Sequence, residues 1–167
     1  MGHLWLLGMM GSGKTAVGRL VAAHLDLPFY DTDAVIEASE EMSVSELFGL
    51  RGEAAFRDIE RRTIEQVALL PAGVVATGGG AILDERNVEQ MRGSGTTILL
   101  DVSIPRLVER IGSGTDRPLV ARDVGLAVRK IAVERDGRYR AAADAAVDGD
   151  AAVEVVAAEV EHLWNPS

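Results

Sequence analysis

The stretch Gly8-Met9-Met10-Gly11-Ser12-Gly13-Lys14-Thr15 decides the fold of this chain. It has the form G-x-x-x-x-G-K-[ST]. Its glycines let the backbone curl so that amide N–H groups point at a phosphate. Lys14 can reach the β- and γ-phosphates of a nucleotide, and the Thr15 hydroxyl can ligate Mg²⁺. An apolar run, 3–8, precedes the stretch and reads as a buried strand. An amphipathic stretch, 14–25, follows and reads as a helix whose positive dipole end faces the same phosphates. A glycine turn joining strand to helix is the alternative, but about 0.002 such matches are expected by chance in this composition. Lys14 is also one of only two lysines among 17 cationic residues. A compact ammonium is thus kept at the position where a planar guanidinium would not serve.

Outward from that loop, short apolar runs alternate with amphipathic stretches. Strands are predicted at 28–30, 73–77, 96–102 and 145–148. Helices are predicted at 33–39, 44–50, 53–70, 84–92, 105–111, 123–140 and 151–164. Ser43-Val44-Ser45-Glu46 is a capping box, and Pro105 suits a first helical turn. The Gly-rich stretch 112–122 reads as a loop. Strands alternating with helices imply a parallel sheet covered on both faces. The Ala/Val/Asp/Glu-rich stretch 141–161 reads as a solvated helix with one apolar face.

The chain's 167 residues fit one domain at about 150 residues per domain. It has no cysteine, so disulfides and thiolate metal sites are excluded. Its net charge of −9 opposes general nucleic-acid binding, which depends on neutralising phosphates. No run reaches the ~18 apolar residues of a membrane helix, and the start does not resemble a signal peptide. The expectation is a cytoplasmic monomer with small-molecule substrates and neither nucleic-acid nor membrane partners.

Several further residues carry candidate chemistry. Asp31-Thr32-Asp33 ends the second strand, where open α/β sheets place their ligand crevice. Two carboxylates there could hold a Mg²⁺-bound water and an acceptor hydroxyl, though Asp33 also reads as a helix N-cap. Gly78-Gly79-Gly80 exposes backbone N–H groups at another strand end, or is a flexible turn. Arg57 is either a ligand residue or the i,i+4 partner of Glu53 on a solvated face. Arg117, within Asp116-Arg117-Pro118-Leu119, is placed to close over a γ-phosphate, or is an ordinary loop arginine. His3, His24 and His162 lack metal-ligand spacing and read as structural, and Trp5 and Trp164 as packing residues. The chain is short for a motor ATPase and lacks the N-K-x-D of a GTPase, which leaves a small-metabolite kinase.

These segments together resemble the shikimate kinase family, across nearly the whole chain. The match is carried by GMMGSGKTAVG at 8–18, DTD at 31–33, SVSELFGLRGEAAFRDIE at 43–60, TGGG at 77–80, DRPL at 116–119, and Arg135-x-x-x-Tyr139. The resemblance implies a three-layer α/β P-loop kinase fold. Its central parallel sheet has five strands in the order 2-3-1-4-5, within a single domain 1–167. An acceptor-binding region would span about 31–62 and a mobile lid about 112–123. It implies transfer of the ATP γ-phosphoryl group to the 3-hydroxyl of shikimate, on the route to chorismate and the aromatic amino acids.

By position, Gly11, Ser12, Gly13, Lys14, Thr15, Ala16, Arg110 and Arg117 would bind ATP, with Arg110 against the adenine. Asp33, Arg57, Gly78, Gly79, Gly80 and Arg135 would bind shikimate, the two arginines gripping its carboxylate. Lys14, Asp33 and Arg117 would be catalytic, and Thr15, with Asp31 acting through water, would hold Mg²⁺. Arginine suits a carboxylate because it can bond to it in a bidentate manner. The stretch 148–152 is shorter and more acidic than the family's adenine loop. Two other readings stay open here: a related kinase such as a gluconate kinase, and a non-catalytic nucleotide-binding module.

Overall fold

β1 (His3–Leu7) is buried along its whole length because it is the middle strand of a five-stranded parallel sheet. The computed structural model describes residues 2–112 and 118–164. After β1 come α1 (Lys14–His24), β2 (Phe29–Asp31), α2 (Thr32–Glu40), α3 (Val44–Ala68), β3 (Val74–Ala76) and a 3₁₀ turn at Ala81–Leu83. Then follow α4 (Glu85–Ser94), β4 (Gly95–Asp101), α5 (Ile104–Gly112), α6 (Pro118–Ala142), β5 (Ala145–Asp148) and α7 (Val153–Leu163). The sheet order is β2-β3-β1-β4-β5, as expected, with Trp5 in register with Val75 on one side and Thr97 on the other.

Side chains alternate across a strand, so β1 feeds two cores. Trp5 and Leu7 join Val75, Leu99, Ile64, Val67 and Met91 on the face covered by α3, α4 and α6. Leu4 and Leu6 join Val74, Ile98, Val17, Val21, Val156 and Trp164 on the face covered by α1 and α7. Burying each such Val or Leu side chain stabilises the fold by about 1.5–3 kcal/mol. A third, smaller cluster of Ile36, Leu47 and Phe56 ties α2 to α3 beside the sheet.

The departures from expectation have local causes. The C-terminal part of the expected loop 112–122 is helical, because α6 already begins at Pro118. Proline lacks an N–H, but the first turn of a helix has no use for that N–H, so Pro118 opens the helix instead of breaking it. Asp116 and Arg117 lie outside the described residues. The segments expected at 44–50 and 53–70 run together as α3, with a kink at Gly52 (φ 81°). The helix expected from 33 starts at Thr32, and the one expected from 151 starts at Val153. β2 and β3 differ from the predicted strands by one residue at each end.

Candidate functional site

The carboxyl ends of β1, β2 and β3 point to one side of the sheet, and the functional residues gather there. Gly13 caps α1 with φ 89°, a left-handed conformation that suits glycine and aims the first amides of α1 into the loop. Lys14 is buried and its Nζ donates to the carbonyls of Gly8 (2.7 Å) and Met9 (2.9 Å) and to Ser12 Oγ (3.3 Å). Burial pulls the Lys14 pKa down to about 8, while Asp33 and Asp31 oppose that shift. The Thr15 hydroxyl donates to Asp31 Oδ2 at 2.9 Å.

Asp31, not Asp33, caps α2. Its Oδ1 accepts from the amides of Asp33 (3.1 Å) and Ala34 (3.3 Å). That corrects the N-cap alternative for Asp33 and leaves its carboxylate to the crevice. Burial, followed by the neighbouring charge of Asp31, raises the Asp33 pKa above the usual carboxylate value.

The acceptor side is built on α3. Arg57 lies 3.6 Å from Glu53 but donates to the fully buried Glu60 at 2.7 Å. Its guanidinium also stands over the rings of Phe48 (5.7 Å) and Phe56 (5.4 Å). The solvated-face reading of Arg57 therefore gives way to a held, partly buried cation. Burial raises the Glu60 pKa, and Arg57 opposes the shift. Among the described residues, Glu60 Oε1 and Arg57 Nε have no hydrogen-bond partner. Unpaired buried polar atoms beside a cavity fit a polar ligand, because native interiors leave few such atoms unsatisfied.

The three glycines are not a slack turn. The Gly78 amide donates to Thr32 Oγ1 (3.1 Å), and the Thr77 hydroxyl donates to the Leu6 carbonyl (2.9 Å). A β-carbon at Gly78 would stand 2.8 Å from Glu60 Oε1 and 2.9 Å from Asp33 Oδ1. Gly79 offers its carbonyl to Arg135 Nη1 (3.3 Å) and to the Tyr139 hydroxyl, both on α6.

One cavity of about 610 Å³ is lined by Gly11, Gly13, Lys14, Thr15, Ala16, Asp31, Asp33, Arg57, Gly78, Gly79, Gly80 and Arg135. All but three of the residues singled out in the sequence therefore meet in one place. Ser12 is buried inside the loop and accepts from Lys14. Arg110 sits on the other side of the loop, donating to the carbonyls of Gly11 (3.3 Å) and Gly149 (3.1 Å). It lines a smaller cavity of about 190 Å³ with Ala151 and Val156. Arg117 lies outside the described residues. Sequence reasoning missed Glu60, Phe48, Phe56 and Tyr139 as parts of the site. Glu60 stands three residues after Arg57, so both share a helix face, and that spacing was the available signal.

No described helix is long and apolar enough to cross a membrane. Among the described residues no three His, Asp or Glu side chains form a metal-holding group. Thr15 and Asp31 do present hard oxygen donors side by side at the phosphate loop. That donor set suits Mg²⁺, which keeps several waters and takes one or two carboxylates together with substrate phosphates.

A sequence model of the family described as "Shikimate kinase" matches residues 10–164. The chain is 42% identical over 147 residues to a shikimate kinase of Thiobacillus denitrificans, covering 87% of this chain and 80% of that protein. It is 40% identical over 162 residues to a shikimate kinase of Caldanaerobacter subterraneus, covering 96% and 94%. The fold superposes on the shikimate kinase from Acinetobacter baumannii in complex with shikimate with a TM-score of 0.90. That pair is 29% identical and covers 98% of this chain and 92% of the other. A gluconokinase from Sinorhizobium meliloti is more distant, at 18% identity and a TM-score of 0.55 over 95% of this chain and 89% of that one, a likeness of fold alone.

Proposed function

The chain belongs to the shikimate kinase family, and from that premise we propose how its residues perform the reaction. The enzyme transfers the γ-phosphoryl group of ATP to the 3-hydroxyl of shikimate, giving shikimate 3-phosphate and ADP, a step of aromatic amino acid biosynthesis. One observation carries the assignment of roles. A single cavity is lined both by the phosphate-loop residues Lys14 and Thr15 and by Arg57, Arg135, Asp33 and the three glycines.

Phosphoryl transfer asks little covalent chemistry of the protein, so positioning and charge stabilisation dominate. The amides of Gly11 to Ala16 and the helix dipole of α1 cradle the phosphates. Lys14 leaves the carbonyls of Gly8 and Met9 to meet the β- and γ-oxygens, where its charge counts most. Thr15 and Asp31, the latter through water, would hold Mg²⁺, which when bound would supply positive charge against the phosphate oxygens. Arg57 and Arg135 grip the shikimate carboxylate, with Arg57 held in place by Glu60 and the two phenylalanine rings. Asp33 accepts a hydrogen bond from the ring hydroxyls and takes the proton of the attacking one. Gly79 and Gly80 let the ring come close to the backbone. Arg110 lies against the adenine, and Arg117, in the lid assigned to 112–123, adds charge at the γ-phosphate. The enzyme acts as one domain, 1–167, and as a cytoplasmic monomer. In support of this, both halves of the pocket come from one chain, and the chain is acidic and cysteine-free.

Two variants test these roles. Arg57→Ala raises the shikimate KM about 10- to 100-fold, the scale of lost charge-assisted bonds, and leaves the ATP KM unchanged. Lys14→Ala abolishes turnover while the circular dichroism spectrum stays that of the wild type. An unchanged shikimate KM in the first variant would reduce Arg57 to a helix-face ion pair. Near-normal turnover in the second would remove the phosphate-loop assignment.

A further inference from the structure

The carbonyl of Gly79 receives two donors from one helix. Arg135 and Tyr139 stand four residues apart on α6, on one face, and both point at this oxygen. The two donors differ in burial. Arg135 reaches the oxygen at 3.3 Å from a half-buried side chain, whereas the Tyr139 hydroxyl comes from a buried one. Gly79 itself is wedged against the phosphate loop: a β-carbon there would lie 3.3 Å from the Met10 amide, 3.7 Å from Tyr139 Oη and 3.8 Å from the Gly8 carbonyl. The carbonyl therefore has little room to turn away in search of another donor.

The Arg135 guanidinium has donors to spare, but it turns most freely towards a substrate carboxylate when the Gly79 carbonyl keeps a second donor of its own. We infer that Tyr139 is a positioning residue: its hydroxyl satisfies the Gly79 carbonyl and so releases the Arg135 guanidinium to the shikimate carboxylate. Without that hydroxyl, Arg135 becomes the only donor to the oxygen among the described residues. Drawing it onto substrate would then leave a half-buried carbonyl unpaired, which carries a penalty of its own. Burial raises the Tyr139 pKa above its ordinary value, so the phenol keeps the proton it donates. The inference rests on the assignment of Arg135 to the carboxylate.

The test compares Tyr139→Phe, Arg135→Ala and the double variant. Phenylalanine keeps the buried ring and removes only the donor. The expected result is a shikimate KM about five- to tenfold higher in Tyr139→Phe, with the ATP KM and Tm close to wild type. Because the tyrosine acts through the arginine, adding Tyr139→Phe to Arg135→Ala changes the shikimate KM by less than about twofold. A wild-type shikimate KM in Tyr139→Phe, while Arg135→Ala raises it, overturns the inference alone. So does a fall in Tm with both KM values raised and fully multiplicative effects, the signature of a merely structural tyrosine. An Arg135→Ala variant with a normal shikimate KM would instead overturn the carboxylate assignment, and this inference with it.

Discussion

Replacing Gly80 by alanine probes the acceptor end of the pocket with a single methyl group. A β-carbon built at Gly80 meets Arg57 Nη2 at 2.3 Å and Nη1 at 2.4 Å. An ordinary contact begins near 3.4 Å, so the guanidinium must retreat by about 1 Å. It cannot do so freely, because Glu60 Oε2 holds Nη1 at 2.7 Å and Phe48 and Phe56 pack against the group. The backbone at Gly80 has φ −97°, which alanine adopts without strain, so the effect falls on Arg57 and not on the chain's path. A misplacement of 1 Å at a recognition group can cost about 100-fold, and loss of one charge-assisted bond about tenfold. Gly80→Ala is therefore expected to raise the shikimate KM by about 10- to 100-fold, with the ATP KM within about twofold of wild type. The assay is steady-state ADP formation with each substrate varied in turn, alongside a thermal melt to confirm folding. Gly93→Ala is the control, since a β-carbon there meets nothing within 4 Å. A folded Gly80→Ala enzyme with a wild-type shikimate KM would refute the placement of Arg57 at the carboxylate.

Other expectations follow from the site and from the helix that supports it. Lys14, with its pKa near 8 in the free enzyme, loses its charge as pH rises. The kcat/KM for ATP should then fall by about tenfold per pH unit above about pH 8, and a flat profile to pH 9.5 would contradict this. The linked stability has the opposite sign. The folded state holds fewer protons than the unfolded chain between about pH 8 and the ordinary lysine value, so this group's contribution to stability rises across that window. Ser43→Ala removes the acceptor for the Glu46 amide and one half of the capping box of α3. The Tm should drop by about 2–4 °C, read by differential scanning calorimetry, with an unshifted Tm arguing that the box is idle.

The parts of the fold legible in the sequence were those fixed by local rules. The strand–glycine loop–helix unit at 3–25, the capping box at Ser43 and the alternation that gives a parallel sheet all rest on residues close in the chain. The start of α6 was hidden because Pro118, read as a loop residue, is the first residue of the helix. Asp31 and Asp33 were seen together, but spacing alone does not say which one caps α2. The divide becomes clear only once the Asp31 side chain is found on the Asp33 and Ala34 amides. The motifs contain Tyr139 and Glu60 but do not reveal what either side chain does. Their partners are respectively sixty positions away at Gly79 and on a buried face of a helix whose outer face is charged. The arginines were legible as cations, whereas what holds them still was not.

In the proposed mechanism one pocket takes both the nucleotide phosphates and shikimate. The most direct test is ADP release from ATP and Mg²⁺ with shikimate, with gluconate, and with no acceptor. Rapid release is expected with shikimate and only a slow background with gluconate or with none. Equal release in all three, or a preference for gluconate, would rule out shikimate as the acceptor this pocket selects.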